Sequence, residues 1–213
     1  MVSDRDERDI SYVLPTLAVL LFDTHKKVRE ASINVLYAAT SEHSLEMLRF
    51  AIIEILLNPQ LTKIHQKAAG VLKHLIAEGL DISPHIKAFL KILESEALEE
   101  LKEELVLVLR KAVEEGHKLS KEIPILEKLL TDKKEEIKFG AADTLAYFYA
   151  RKKNWKALEN LMAHEDKDVR QEAAGTLKEV KVSHSIAPIF HKLKELLTDN
   201  EKEVRFVAAR TLL

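Results

Sequence analysis

The 213-residue sequence predicts an all-α protein, a solenoid of about six helical hairpins. Three observations lead there. Leu, Ala, Glu and Lys dominate while only five Gly and five Pro occur, a composition of helix formers with few breakers. A nine-residue pattern, Val169-Arg170-Gln171-Glu172-Ala173-Ala174-Gly175-Thr176-Leu177, returns as Val204 to Leu212 and as Val28 to Leu36. Weaker copies begin at Ile64, Leu101 and Ile137, so the anchors 28, 64, 101, 137, 169 and 204 stand 36, 37, 36, 32 and 35 residues apart. A period near 36 residues accommodates two helices and their turns.

Each anchor opens the second helix of a unit. Eight residues on comes Leu36, Leu72, Leu109, Leu145, Leu177 or Leu212, always Leu. Four residues on, Ser32, Ala68, Ala141, Ala173 and Ala208 are small, with Leu105 the exception, and seven on every residue is β-branched. At 100° per residue, offsets 0, +4, +7 and +8 share one face, which predicts a buried stripe. A small residue at +4 lets a partner helix come close.

A first amphipathic helix is predicted upstream of each anchor. Repeat one offers Ile10 to Phe22 with Pro15 early; repeat four offers Ile123 to Leu130 with Pro124; repeat six runs from Ile186 to Leu197 with Pro188. Proline near a helix start costs little, because first-turn amides have no intrahelical acceptor. The turns Asp23-Thr24, Thr131-Asp132 and Thr198-Asp199 supply side chains that can cap the next helix. Repeats two and three carry Asn58-Pro59 and Glu94-Ser95-Glu96 there, and the first helix of repeat five is short, from Trp155 to Ala163. The units read as 10–41, 44–78, 83–116, 121–152, 154–181 and 184–213 within a single repeat domain, 1–213.

The early Pro, the turn Asp, and Val-Arg with Ala and Leu behind it resemble the HEAT repeat, over almost the whole chain. The closest correspondences are Pro15/Asp23/Val28/Arg29, Pro124/Asp132/Ile137/Lys138 and Asp199/Val204/Arg205. The resemblance implies a right-handed α-α superhelix whose second helices line a concave surface. It also implies a structural ladder between turn Asp and post-anchor base, here Asp23, Arg29, Asp132, Lys138, Arg170, Asp199 and Arg205. Such a repeat is a scaffold and names no activity.

Lys and Arg number 33 against 35 Asp and Glu, a formal net charge of −2, which argues against a general nucleic-acid or anionic-membrane binder. There are no cysteines, so disulfides, Cys-zinc sites and thiol catalysis are excluded, and a reducing, cytoplasmic setting fits. No apolar run approaches membrane-spanning length. The nine histidines include no His-Glu-x-x-His pair, and no Gly-rich phosphate loop or nucleophile motif occurs. The expectation is therefore no enzyme, no cofactor and no metal.

Offsets +2, +6 and +9 point away from the buried stripe. The +9 row holds Tyr37, Lys73, Arg110, Ala146 and Lys178; the +2 row includes Phe139 and Phe206; the +6 row includes Leu107, Asp143, Gly175 and Arg210. The predicted contacts are Tyr37, Lys73, Arg110, Phe139, Lys178, Phe206 and Arg210, with the bases meeting carboxylates and the aromatics taking apolar anchors. A protein or peptide of acidic character is the expected partner, bound by a protein-interaction scaffold. The alternative is a nucleic-acid binder of the DNA-repair or glycosylase type. It rests on the basic rows and on Tyr147-Phe148-Tyr149-Ala150-Arg151-Lys152-Lys153-Asn154-Trp155-Lys156, which interleaves aromatics with bases. Against that, +11 and +12 return Phe148 and Tyr149 to the stripe. The final helix stops at Leu213, barely three turns in, which reads as a fragment boundary, an end-to-end contact with another chain, or a frayed end.

Overall fold

The computed structural model describes residues 13–20, 23–25, 27–28, 31–32, 52–53, 55–58, 62–77, 79–94, 99–117, 119, 122–181 and 186–213. Among them every regular element is helical: α1 (Leu14–Leu20), α2 (Thr62–Ala77), α3 (Ile86–Glu94), α4 (Glu99–Glu114), α5 (Ile123–Leu129), α6 (Glu135–Arg151), α7 (Trp155–Met162), α8 (Lys167–Lys181), α9 (Phe190–Leu196) and α10 (Lys202–Leu212). The protein is all-α. No helix among the described residues is long and apolar enough to cross a membrane.

Two compact units emerge, Met1–Phe89 and Leu90–Leu213, with the boundary inside α3. In the first unit, Pro15 stands in the first turn of α1, where its missing amide hydrogen costs nothing. Ile52, Ile53, Ile55 and Leu56 are buried, as are Ala68, Ala69, Leu72 and Ile76 along α2. Buried His65 bonds through Nε2 to the carbonyl oxygen of Asn58 at 2.9 Å. A carbonyl only accepts, so that ring nitrogen carries the proton.

The second unit positions the candidate site. Its longer helices α4, α6, α8 and α10 lie side by side in that order. The shorter α5 packs on α6, α7 on both α6 and α8, and α9 on α10. The anchors Leu101, Ile137, Val169 and Val204 are all buried, and so are Leu109, Leu145, Leu177, Ala141, Ala173 and Ala208. The stripe is therefore the seam along which the longer helices meet their shorter companions. Truncating any of its leucines to Ala removes apolar surface and leaves a void, a loss of about 2–5 kcal/mol.

Gly140 on α6 marks a close approach to α4. A Cβ built there would stand 2.7 Å from Cγ1 of Val106 on α4, so only glycine fits. Proline again opens the shorter helices, as Pro124 in the first turn of α5 and Pro188 in a 3-10 turn, Ala187–Ile189, that leads into α9. The starts of α6, α8 and α10 share one device. Asp132, Asp166 and Asp199 each accept the backbone N–H two residues on, at 2.9, 2.8 and 2.9 Å, satisfying an amide left over at the helix entrance.

The buried arc is wider than the four-offset stripe. It continues through +5 (Val106, Ala142, Ala174) and, on α4 and α6, to +9 (Arg110, Ala146). These offsets face the next longer helix, as the contact of Val106 with the Gly140 position shows.

Candidate functional site

The outward rows of the second unit contain two phenylalanines at +2, on helices that flank α8. Phe139 on α6 is half-buried; Phe206 on α10 is 62% exposed. The guanidinium of Arg210 sits 5.6 Å from the centre of the Phe206 ring, within cation–π range. Lys178 on α8 is exposed and Leu107 on α4 partly so. With adjacent axes roughly 8–10 Å apart, the two phenylalanines stand roughly 20 Å from each other across α8. Lys73 lies on α2 in the first unit and is half-buried, while Tyr37 lies outside the described residues.

Arg110 requires a correction. The +9 row was expected to face outward, but Arg110 is only 6% exposed and each of its three guanidinium nitrogens donates to a carboxylate. Nε donates to Asp143 on α6 at 2.8 Å, one terminal nitrogen to Glu114 on its own helix at 2.6 Å, and the other to Glu179 on α8 at 2.7 Å. The Tyr147 ring lies beneath it, 3.8 Å from centroid to guanidinium carbon. The cause is the width of the buried arc: +9 turns toward the next helix, whose +6 residue is an aspartate. Arg110 therefore ties three helices together and is buried away from a partner. The expected basic line is interrupted here, and Ala146 at the same register is buried as well.

Around this clamp the carboxylates are concentrated. Asp143 also accepts the Thr176 hydroxyl at 2.6 Å. Glu172, half-buried on α8, is pushed up to about 7 by burial first and then by the negative charges of Asp143, Asp168 and Glu179. Beside them, Lys111 pairs with Glu115 at 2.7 Å and Glu114 at 3.1 Å, and those hydrogen bonds hold its ammonium above the ordinary lysine value. Arg151 on α6 donates to the carbonyls of Val113, at 2.7 Å, and Glu114, covering two of the last acceptors of α4.

The ladder positions are placed as follows. Lys138 on α6 reaches Asp166 at 2.6 Å and Asp168 at 3.5 Å, in the turn and first residues of the next unit. Arg170 on α8 grips both oxygens of Asp199 at 2.8 and 2.9 Å, and also donates to the His164 and Glu165 carbonyls. Arg205 donates to the carbonyls of Asp199 and Asn200 at 2.6 and 2.9 Å. In the first unit, Asp23 accepts the His25 N–H at 2.7 Å, while Arg29 lies outside the described residues. Asp132 accepts only the Lys134 N–H among the described residues. Burial pushes Asp166 up, but Lys138 and the Asp168 and Val169 amides outweigh it and hold the carboxyl below its ordinary value. The hydrogen bonds from Arg170 do the same for Asp199.

Asp143, Asp166 and Glu179 did not stand out in the sequence as partners of these bases. For Asp143 a signal existed: it occupies +6, the offset that the +9 residue of the preceding unit meets. The aromatic-basic segment offers few rings for stacking. Phe148 and Tyr149 are buried edge to face, with the Tyr149 hydroxyl on Glu127 at 2.8 Å, and Tyr147 lies under Arg110. Trp155 opens α7, which Asn154 caps by accepting the Ala157 N–H at 3.3 Å. Among the described residues no group of His, Asp and Glu is arranged to hold a metal ion.

No family model matches the chain, and no curated protein does. Among solved structures it is similar to a crystal structure of an engineered protein at 19% identity and a TM-score of 0.46, covering 93% of this chain and 94% of the other. It is also similar to a second engineered protein at 20% identity and a TM-score of 0.44, where 93% of this chain covers 57% of a longer one.

Proposed function

We propose that the chain is a protein-interaction scaffold, a right-handed HEAT-like solenoid of about six hairpins, and that it binds a protein segment across the outward face of its longer helices. The observation that carries the reading is Phe206: a large aromatic, 62% exposed, with a cation beside its ring and a second phenylalanine at the same register two helices away. Exposed aromatics flanked by bases are the usual anchors of protein interfaces. The side-by-side order of α4, α6, α8 and α10, with bases of α6 and α8 reaching Asp residues of the following unit, supports the repeat reading.

With Arg110 committed inside the fold, acidic groups of the partner pair with Lys178 and Arg210, and its apolar anchors cover Phe206 and Phe139. The test is affinity capture from nuclease-treated and untreated lysate with the native chain and a Lys178→Glu, Phe206→Ser, Arg210→Glu variant. All three side chains are exposed, so the variant keeps its fold. A protein retained after nuclease but lost with the variant is the expected result. Equal capture by the variant overturns the assignment, and capture only with intact nucleic acid transfers the face to phosphate-driven binding.

A further inference from the structure

Arg170 and Arg205 each follow the anchor of their repeat, and one side of each guanidinium is held alike. A terminal nitrogen of Arg170 donates to the His164 and Glu165 carbonyls at 2.8 and 2.9 Å. That of Arg205 donates to the Asp199 and Asn200 carbonyls at 2.6 and 2.9 Å. On the other side they differ. Nε and the second terminal nitrogen of Arg170 take both oxygens of Asp199, the turn aspartate of the following repeat, at 2.8 and 2.9 Å. Among the described residues, the same two nitrogens of Arg205 have no partner. The fold thus orients this fork with its carboxylate-binding edge open.

Its surroundings differ in the same sense. Five residues after the anchor, Val106, Ala142 and Ala174 are buried, whereas Ala209 on α10 is exposed. Two residues before the turn aspartate, Leu130 is 6% exposed and Leu197 is 40% exposed. The last hairpin therefore presents apolar residues together with a half-engaged guanidinium. The Arg170–Asp199 pair shows what fits such an edge: a carboxylate held in the turn of another helical hairpin.

This chain carries such a turn. Asp23 precedes Val28 by five residues, as Asp199 precedes Val204. It accepts the N–H of the residue two positions on at 2.7 Å, as Asp199 does at 2.9 Å. Its side chain is 30% exposed, and Val19 on α1 just before it is 44% exposed. The local bonds of Asp23 do not stand in the way, because Asp199 caps its own turn and takes an arginine at once.

We propose that a second copy of this chain docks on the last hairpin, with Asp23 of that copy on the open edge of Arg205 and its α1, through Val19, against Leu197. Two different surfaces meet, so the contact is heterologous: copies add head to tail beyond a dimer, as a chain or a closed ring. The contact uses neither Phe139 nor Phe206, and it can hold or fail apart from the partner face.

The test is sedimentation velocity of the full chain over about a hundredfold range of concentration. The samples are the native protein, Arg205→Glu, Asp23→Arg, and an equal mixture of the two variants. Expected for the native chain is a mass that rises with concentration past the dimer. Each variant alone should associate at least tenfold more weakly, because like charges then face each other. The mixture should recover assembly, with the swapped charges meeting across one contact and the native pair across the next. Circular dichroism melts check that the variants fold. Should either fail to, Leu197→Glu, at an exposed position, must weaken assembly by itself. A monomer at every concentration, growth that stops at a dimer, or undiminished assembly in Arg205→Glu or Leu197→Glu overturns the docking. Failure of the mixture to recover overturns Asp23 as the carboxylate.

Discussion

Arg110 and Lys178 occupy the same register of the repeat, nine residues after their anchors, and meet opposite fates. Arg110 is buried between three carboxylates over a tyrosine ring; Lys178 is exposed and, among the described residues, has no ion-pair partner. The helix that carries the base does not decide this. The next one does. The +6 residue of the unit after Arg110 is Asp143, whereas the +6 residue of the unit after Lys178 is Arg210, a like charge. A base in this register becomes part of the fold when the following helix presents an acid, and remains available to a partner when it presents another base.

The largest effect that sharpens the contrast is removal of the buried base. Arg110→Met leaves Glu114, Asp143 and Glu179 facing one another without their common cation, and urea unfolding should show a loss of about 2–3 kcal/mol, allowing for the partial exposure of the acids. Lys178→Met should stay within about 0.5 kcal/mol. Equal losses would break the comparison.

An intermediate effect concerns Glu172, at the edge of the same cluster. Its carboxyl is held at about 7 against an ordinary 4.5, so between those values the folded chain binds more protons than the unfolded one. The stabilisation this gives is complete below 4.5 and disappears as pH rises through about 7. Glu172→Gln should therefore gain about 1–2 kcal/mol over the native chain at pH 8, after allowance for solvent screening, and almost nothing at pH 4. Asp166 and Asp199 act in the other sense. Their depressed values give stability that is present above the ordinary aspartate value of 3.8 and is lost as pH falls through the folded values. Paired melts of native and Glu172→Gln protein from pH 4 to 8 separate the two trends.

The smallest effect tests the rule itself. Arg210→Asp places an acid at +6 opposite Lys178, and a double-mutant cycle with Lys178→Ala should find a favourable coupling of up to about 0.5 kcal/mol that fades at high salt. A coupling of zero or opposite sign would mean that the Arg110–Asp143 pairing does not follow from register.

The helical class and the buried stripe were legible because they depend on spacing along one helix: Leu109, Leu145 and Leu177 each fall eight residues after a buried anchor, and all are buried. What escaped depends on what the neighbouring helix carries. Offset +9 lies outward on an isolated helix, but Ala146 and Arg110 are covered because +5 and +9 turn toward the adjacent long helix. The need for glycine at Gly140 carries no signal in the spacing, and only the Val106 side chain 2.7 Å from its absent Cβ shows why nothing larger fits. Phe206 could be placed on the outward face, but its degree of exposure could not.

The Arg110 clamp bears on how this part of the chain responds to mechanical load. Where stacked units touch only their neighbours, tension applied to the ends peels them away one at a time. One guanidinium bonded to α4, α6 and α8 at once bypasses that serial arrangement, because the loosening of any one of those helices strains contacts to the other two. Under a pulling force the three helices yield as a block, whereas α10, outside the clamp, can detach first.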